Sequence, residues 1–221
     1  QKAHSELGIL YCRTGRSYQA VLNLVFASLP TVTTLVEELK LRDPDFAIDV
    51  AFIQGGTARP TADDSLYTLG DIYHEPLWIF YREAALRHAE KLLDLKGKRI
   101  AVGGPGSGTN HLATALLEAN EITAKNATLI QVGGMAVLER FEKGEVDAAF
   151  VVGPTQSSLV WSLLYTPGIR LMSLSHAEAY TRRLPYLAHL VLPRGAIDLT
   201  QEIPAQDTHL VSFSAGFMPS A

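Results

Sequence analysis

Glycines recur after short apolar runs, together with small hydroxyl residues at Gly55-Gly56-Thr57, across 103–109 and at Gly153-Pro154-Thr155, and without them at Gly133-Gly134. Residues of these types leave backbone N–H groups unshielded, which suits the binding of anions. The densest case follows Ile100-Ala101-Val102 and contains Gly103, Gly104, Gly106 and Gly108. From Thr109 the period changes, because Leu112, Ala113, Leu116 and Leu117 fall at helical spacing. Strand, loop and helix therefore follow one another, and the N–H groups of Ser107, Gly108, Thr109 and Asn110 are expected at a helix N-terminus. Such an end favours a carboxylate or a phosphate, with the Ser107 and Thr109 hydroxyls as helpers. The same pattern also fits an N-capped βα turn that holds no ligand.

Sharper motifs fail on single positions. Residues 103–109 have the glycine spacing of a phosphate-binding NTPase loop, but no lysine follows Gly108. A dinucleotide fingerprint counted from Gly104 meets Thr109 where its last glycine belongs, and Pro105 stands where a nucleophile elbow before Ser107 needs glycine. His111 beside Ser107 lacks an evident carboxylate to complete a triad, so no catalytic residue is assigned. The seven histidines show no metal-ligand spacing, so neither a metal nor a cofactor is expected.

Composition bounds the rest. The chain has 221 residues, 47% hydrophobic and 19% charged, with a formal net charge of −4, which suits an α/β protein and gives no electrostatic footprint for nucleic acid. Cys12 is the only cysteine, which excludes an internal disulfide. No apolar run reaches membrane-span length, and residues 1–10 carry no signal-like segment, which suits a cytoplasmic protein or a mature or trimmed form.

The elements that must position the loops alternate. Strands are expected at 8–11, 48–54, 73–81, 100–102, 127–132, 147–152, 169–174 and 187–192, the last clear one. Helices are expected at 18–27, around 35–41, at 84–93, and after each of the three later glycine loops, with a charged one at 176–184. The aromatic run at 73–81 contains Pro76, which points to an edge or crossover strand. Alternation of this kind implies a largely parallel sheet with ligand loops at the carboxyl ends of its strands. Asp49-Val-Ala-Phe-Ile-Gln-Gly-Gly56 also resembles Asp147-Ala-Ala-Phe-Val-Val-Gly-Pro154, as equivalent strands of two similar lobes would. With crossings at 73–82 and 184–187, residues 1–81 plus 185–221 form a discontinuous first lobe and 82–184 a second.

Five segments in order carry a resemblance: 49–57, 75–82, 95–109, 144–150 and 192–195. Together they are similar to the TAXI family, extracytoplasmic solute receptors of TRAP transporters with the two-lobed type II periplasmic binding protein fold. The resemblance implies a mainly parallel sheet flanked by helices in each lobe, a cleft between the lobes, and no catalysis. It implies closure on a small organic acid or amino acid such as glutamate, and delivery to the membrane permease subunits. The implied contacts are Thr14, Gly15, Ser17 and Tyr18, then Gln54, Gly55, Gly56 and Thr57, then Ser107, Gly108, Thr109 and Asn110, then Gly153, Pro154 and Thr155. Arg16 or Arg59 would add a bidentate clamp and Trp78 would pack the hinge, while Glu75 before Pro76 either orients a cationic ligand group or, as a carboxylate at a crossover more often does, caps or pairs locally. The implied location is periplasmic or otherwise extracytoplasmic, with any membrane anchor outside the segment given.

The chain departs from the family at 31–34, where Thr31 to Thr34 replace an expected Gly-Ser pair, in the glycine-poor first loop, and in ending at Ala221 before an expected further helix. A ligand-binding sensory module of a signalling protein fits the same residues, and an enzyme on the same fold is the third reading.

Overall fold

A run of consecutive apolar residues marks a strand covered on both faces, and Leu77, Trp78, Ile79 and Phe80 are all fully buried. They belong to β4 (Gly70–Arg82), the longest strand of the computed structural model. It describes residues 70–219 and the segments 8–10, 24–26 and 50–54, with side chains from 74 to 214. Before β4 come β1 (Gly8–Leu10), β2 (Leu24–Phe26) and β3 (Val50–Gln54); after it a 3-10 turn (Leu92–Leu95), β5 (Arg99–Ala101), α1 (Gly108–Glu118), β6 (Thr128–Ile130) and α2 (Ala136–Glu142). β7 (Ala148–Val152), α3 (Ser158–Tyr165), β8 (Ile169–Leu171), α4 (Ala177–Arg183), β9 (Leu187–Leu192) and β10 (Thr208–Pro219) complete the order.

One sheet runs β3-β10-β4-β7-β5-β6, with β8 added to β4 and β9 to β10. Only β5 with β6 and β5 with β7 pair in parallel; β4 and β10 are antiparallel to every strand they meet. The α/β class with flanking helices is as expected, but the sheet is mixed rather than mainly parallel. The reason is that two long strands cross its middle, and each runs against its neighbours.

β4 is accordingly central and not an edge strand. Its Pro76 is tolerated because the Pro76 carbonyl accepts a bond from Gly153 N–H at 3.4 Å, at the point where β7 ends. In extended backbone a residue's N–H and C=O leave on the same side, so the missing N–H also faces the β7 side and the pairing of Pro76 with Ser212 loses nothing.

The crossovers explain the layering. From β5 the chain steps out through α1 to β6, then back through α2 past β5 to β7. Right-handed crossovers in opposite directions put their helices on opposite faces. Leu112, Ala113, Leu116 and Leu117 of α1 share one core with Leu77, Ile79 and Tyr81 of β4, together with Ala177 and Tyr180 of α4. Val137 and Phe141 of α2, with Val160 and Leu163 of α3, pack with Trp78 and Phe80 on the other face.

At the end of the sheet away from the glycine loops, Asp147 ties three strands together. It is 7% exposed, and its carboxylate accepts from Arg82 Nη at 2.8 Å, Arg99 Nη at 2.7 Å, Arg99 Nε at 3.0 Å and the Arg99 backbone N–H at 3.0 Å. Burial opposes its charge, but these bonds outweigh burial and hold it well below the usual carboxylate range.

Several expected elements differ. Residues 24–26 of the expected first helix are strand, paired with Gly8–Leu10, as an apolar Leu-Val-Phe triplet becomes once a partner strand is available. The expected helix at 84–93 reduces to turns and the 3-10 segment, with a local carboxylate and one distant residue taking backbone groups that a helix would use. Asp94 Oδ2 accepts the N–H groups of Glu90 and Lys91 at 3.1 and 3.0 Å, and the Glu90 carbonyl accepts from Ser175. Leu184 to Leu187 lead from α4 into β9, which lies along β10, so the strand that returns beside β4 is β10.

Candidate functional site

β5 sends its connection to α1 on one face, while its neighbour β7 sends its connection to α3 on the other. A crevice opens where adjacent strands part in this way, and ligands of α/β sheets bind there. Its walls are residues 103–107 and 153–157.

The first wall is shaped by Gly103, whose φ is +86°. A Cβ there would lie 2.7 Å from Ser107 Oγ and 2.8 Å from Asn110 N, so no side chain fits. Ser107, 4% exposed, is the N-cap: its Oγ accepts from Asn110 N–H at 2.9 Å and its carbonyl from His111 N–H at 2.8 Å. Asn110 Nδ2 donates to the Val102 carbonyl at 3.3 Å, tying the helix back to its strand. No acceptor among the described residues meets the N–H groups of Gly108 and Thr109. The first turn of α1 carries no acidic residue, so none of its own side chains neutralises its positive end. The anion-binding capacity of this loop thus lies in its backbone, and the oxygen of Ser107 serves the helix.

The second wall repeats the device. Ser157 caps α3 by accepting from Val160 N–H at 3.1 Å, and its own N–H donates to the Pro154 carbonyl at 3.0 Å, as Ser107 N–H does to Gly104 at 3.1 Å. Trp78 Nε1, fully buried, donates to the Gly153 carbonyl at 2.9 Å and fixes this loop to β4. A third loop touches the first: a Cβ on Gly133 would lie 3.2 Å from Gly104 N.

The crossing strands form the floor. Gln54 closes β3 level with Ala215, which is level with Tyr73; Val152 closes β7 level with Leu77. β3 and β7 therefore point their carboxyl ends at each other along β4, about four residues or roughly 13 Å apart. Between those rows lie His74, Glu75 and Pro76, paired with Ser214, Phe213 and Ser212, just before β10 shifts register between Ala215 and Gly216. Ser212 Oγ stands 3.5 Å from both His74 Nδ1 and the Ala188 carbonyl. Glu75 is half-buried, has no polar partner among the described residues, and its carboxyl is pushed up to about 7 by burial alone.

Of the expected contacts, the structure brings Ser107, Gly108, Thr109 and Asn110 to the same sheet end as Gly153, Pro154 and Thr155. Gln54 ends β3 across from them. Thr14, Gly15, Ser17, Tyr18, Gly55, Gly56 and Thr57 lie outside the described residues, as do Arg16 and Arg59. The sequence marks Gly133 only as part of a glycine turn and does not single out Ser157; the shared spacing from Gly103 to Ser107 and from Gly153 to Ser157 is the signal that finds the latter.

Fold and crevice together define an α/β protein with two capped loops around a switch point, crossed by two long strands. The chain belongs to the NMT1-like family, which matches residues 54–212. Its fold is similar to that of solved solute-binding proteins. The periplasmic aliphatic sulphonate binding protein SsuA of Escherichia coli has a TM-score of 0.47 and 16% identity, over 87% of this chain and 53% of that one. The amino acid ABC transporter substrate-binding protein AbpA of Streptococcus pneumoniae, bound to L-arginine, has a TM-score of 0.41 and 13% identity over 78% and 55%. The alkanesulfonate-binding protein SsuA of Xanthomonas axonopodis, bound to MOPS, has a TM-score of 0.41 and 21% identity over 66% and 48%. The chain spans about half the length of each. No described helix is long and apolar enough to cross a membrane.

Proposed function

We propose that this chain is an extracytoplasmic solute-binding receptor that closes on a small carboxylate or amino acid and delivers it to the permease of a TRAP-type transporter. One observation carries the reading: two serine-capped loops at a switch point face the carboxyl end of β3 across the two crossing strands. The resemblance to the TAXI family supplies the transporter. The proposed ligand contacts are Gln54, Gly55, Gly56 and Thr57, residues 107–110 and 153–155, and Thr14, Gly15, Ser17 and Tyr18.

The lobes divide on β4 and β10. In place of the boundaries at 81/82 and 184/185 read from the sequence, this assigns Val50–Gln54 and the end of β10 to one lobe and residues 74–214 to the other. This keeps β9, which pairs only with β10, beside α4 in the second lobe. Oriented N–H groups hold the ligand carboxylate, each charge-assisted bond contributing roughly 1.5 to 3 kcal/mol once water is excluded. A ligand that touches both lobes shifts the open form toward the closed one.

The test is thermal. Dicarboxylates and acidic amino acids at millimolar concentration should raise the melting temperature of the purified chain. Ser107→Ala combined with Thr109→Ala should weaken the effect. A broad panel without any shift overturns the reading, and turnover of a bound compound would replace it with an enzyme.

A further inference from the structure

His189 of β9 and His209 of β10 lie side by side on one face of the sheet, with His189 Nε2 and His209 Nδ1 2.8 Å apart and the ring centres 5.0 Å apart in a stack. The register explains the approach: His189 pairs with Val211 and His209 with Val191, so the two histidines are diagonal neighbours. His209 N–H donates to Ser173 Oγ at 3.0 Å and its carbonyl accepts from Leu174 N–H at 2.8 Å, both on the side away from β9. These facing pairs are therefore of the non-hydrogen-bonded kind, in which side chains come closest. Both imidazoles are exposed, and they open into a cavity of about 800 Å³ beside the start of α4. Its charged groups are otherwise engaged: Glu90 pairs with His88, Glu178 with Arg182 and Arg194 with Glu202, while Asp207 accepts the Arg194 backbone N–H at 2.8 Å.

Two neutral imidazoles at such a separation can chelate one metal ion. With metal–nitrogen bonds of about 2.0 to 2.1 Å, nitrogens 2.8 Å apart subtend roughly 84 to 89° at the ion. That is the angle between adjacent corners of a square or an octahedron, whereas a tetrahedral ion needs its nitrogens about 3.4 Å apart. We propose that His189 and His209 form a bidentate site for a tetragonal divalent ion, copper or nickel, that clips β9 to β10. On binding, the proton held between the two nitrogens moves to the far nitrogen of its own ring. His189 Nδ1 and His209 Nε2 then carry the protons, and the two facing lone pairs go to the metal. Among the described residues no group of three or more histidine, cysteine or carboxylate side chains could hold a metal, so water fills the remaining positions. Spacing along the chain hides such a pair, because its members come from neighbouring strands 20 residues apart. The site stands apart from the receptor reading, since neither histidine is among the proposed ligand contacts.

Calorimetric titration of the full chain with nickel tests it. His189→Gln and His209→Gln should each weaken the site at least about tenfold, and the double variant should bind within about threefold of either, because one imidazole alone no longer chelates. Nickel should raise the melting temperature of the parent and leave that of the double variant unmoved. Magnesium, which prefers oxygen ligands, should not distinguish the two chains. Both histidines are exposed, so neither substitution empties a core. A second readout needs no variant: substoichiometric copper, which is paramagnetic, should broaden the ring resonances of His189 and His209 ahead of those of the other five histidines. Nickel affinity unchanged in both single variants overturns the site, and so does a loss in one of them alone, which would mean a lone histidine ligand. Copper broadening that begins at any other histidine overturns it as well.

Discussion

A carboxyl that loses water and meets no donor among the described residues keeps its proton, and Glu75 does so up to about pH 7. In the unfolded chain it releases that proton near 4.3. Between those values the folded state binds the extra proton, so this contribution is complete below about pH 4 and is lost as pH rises to 7. Glu75→Gln removes the slope. The variant should match the parent near pH 4 and exceed it by up to about 3 kcal/mol at pH 8, read from urea midpoints at each pH. Equal stability at pH 8 would show that the carboxyl is ionised without cost. Asp147 has the opposite sign: its folded pKa is depressed, so its stabilisation is present above about pH 4 and is lost only as pH falls further. Asp147→Asn, which leaves Arg82 and Arg99 facing a neutral group, should cost about 2 to 4 kcal/mol at pH 7 and about 1 kcal/mol less at pH 3. A cost independent of pH would assign the loss to packing.

The capped loops are the elements on which the crevice depends, and their geometry is testable apart from any ligand. Gly103→Ala combines a left-handed backbone with contacts of 2.7 and 2.8 Å to atoms of the cap itself, so it should destabilise by about 2 to 3 kcal/mol. Ser157→Ala loses only the bond to Val160 N–H and should cost about 1 kcal/mol. Chemical denaturation ranks the two, and the reverse order would mean that the first loop relaxes freely. Sequence shows these loops well, because glycine after an apolar run is a local signal. It hides β10, since burial there depends on partners on both sides: Leu210, Val211 and Phe213 are buried while His209 is exposed and Ser212 is buried, so neither a period of two nor an apolar run survives. The residues 84–93 fail for the converse reason, a helical composition overruled by Asp94 and Ser175. Glu75 was visible as a residue, but its isolation was not, because the strands that desolvate it lie far away in sequence.

At the level of the whole chain, β10 serves two sets of partners. Thr208 to Phe213 pair with β9, and Ala215 to Pro219 with β3, while β4 runs along both stretches. Ending the chain after Ser214 removes the stretch of β10 that pairs with Val50–Gln54, yet keeps Leu210, Val211 and Phe213 in the cores they fill. The truncated chain should retain a cooperative urea transition and the near-ultraviolet signal of buried Trp78, whose partner Gly153 is untouched. Its response to ligand should nevertheless vanish, because Gln54 at the end of β3 no longer has Ala215 to hold it across from residues 107–110 and 153–155. Mass action makes the difference measurable, since a ligand at a hundred times its dissociation constant adds about 2.7 kcal/mol to the parent and nothing to a chain that cannot bind it. An undiminished thermal shift in the truncated chain would mean that one lobe binds alone, and that closure between two lobes is not how this protein holds its ligand.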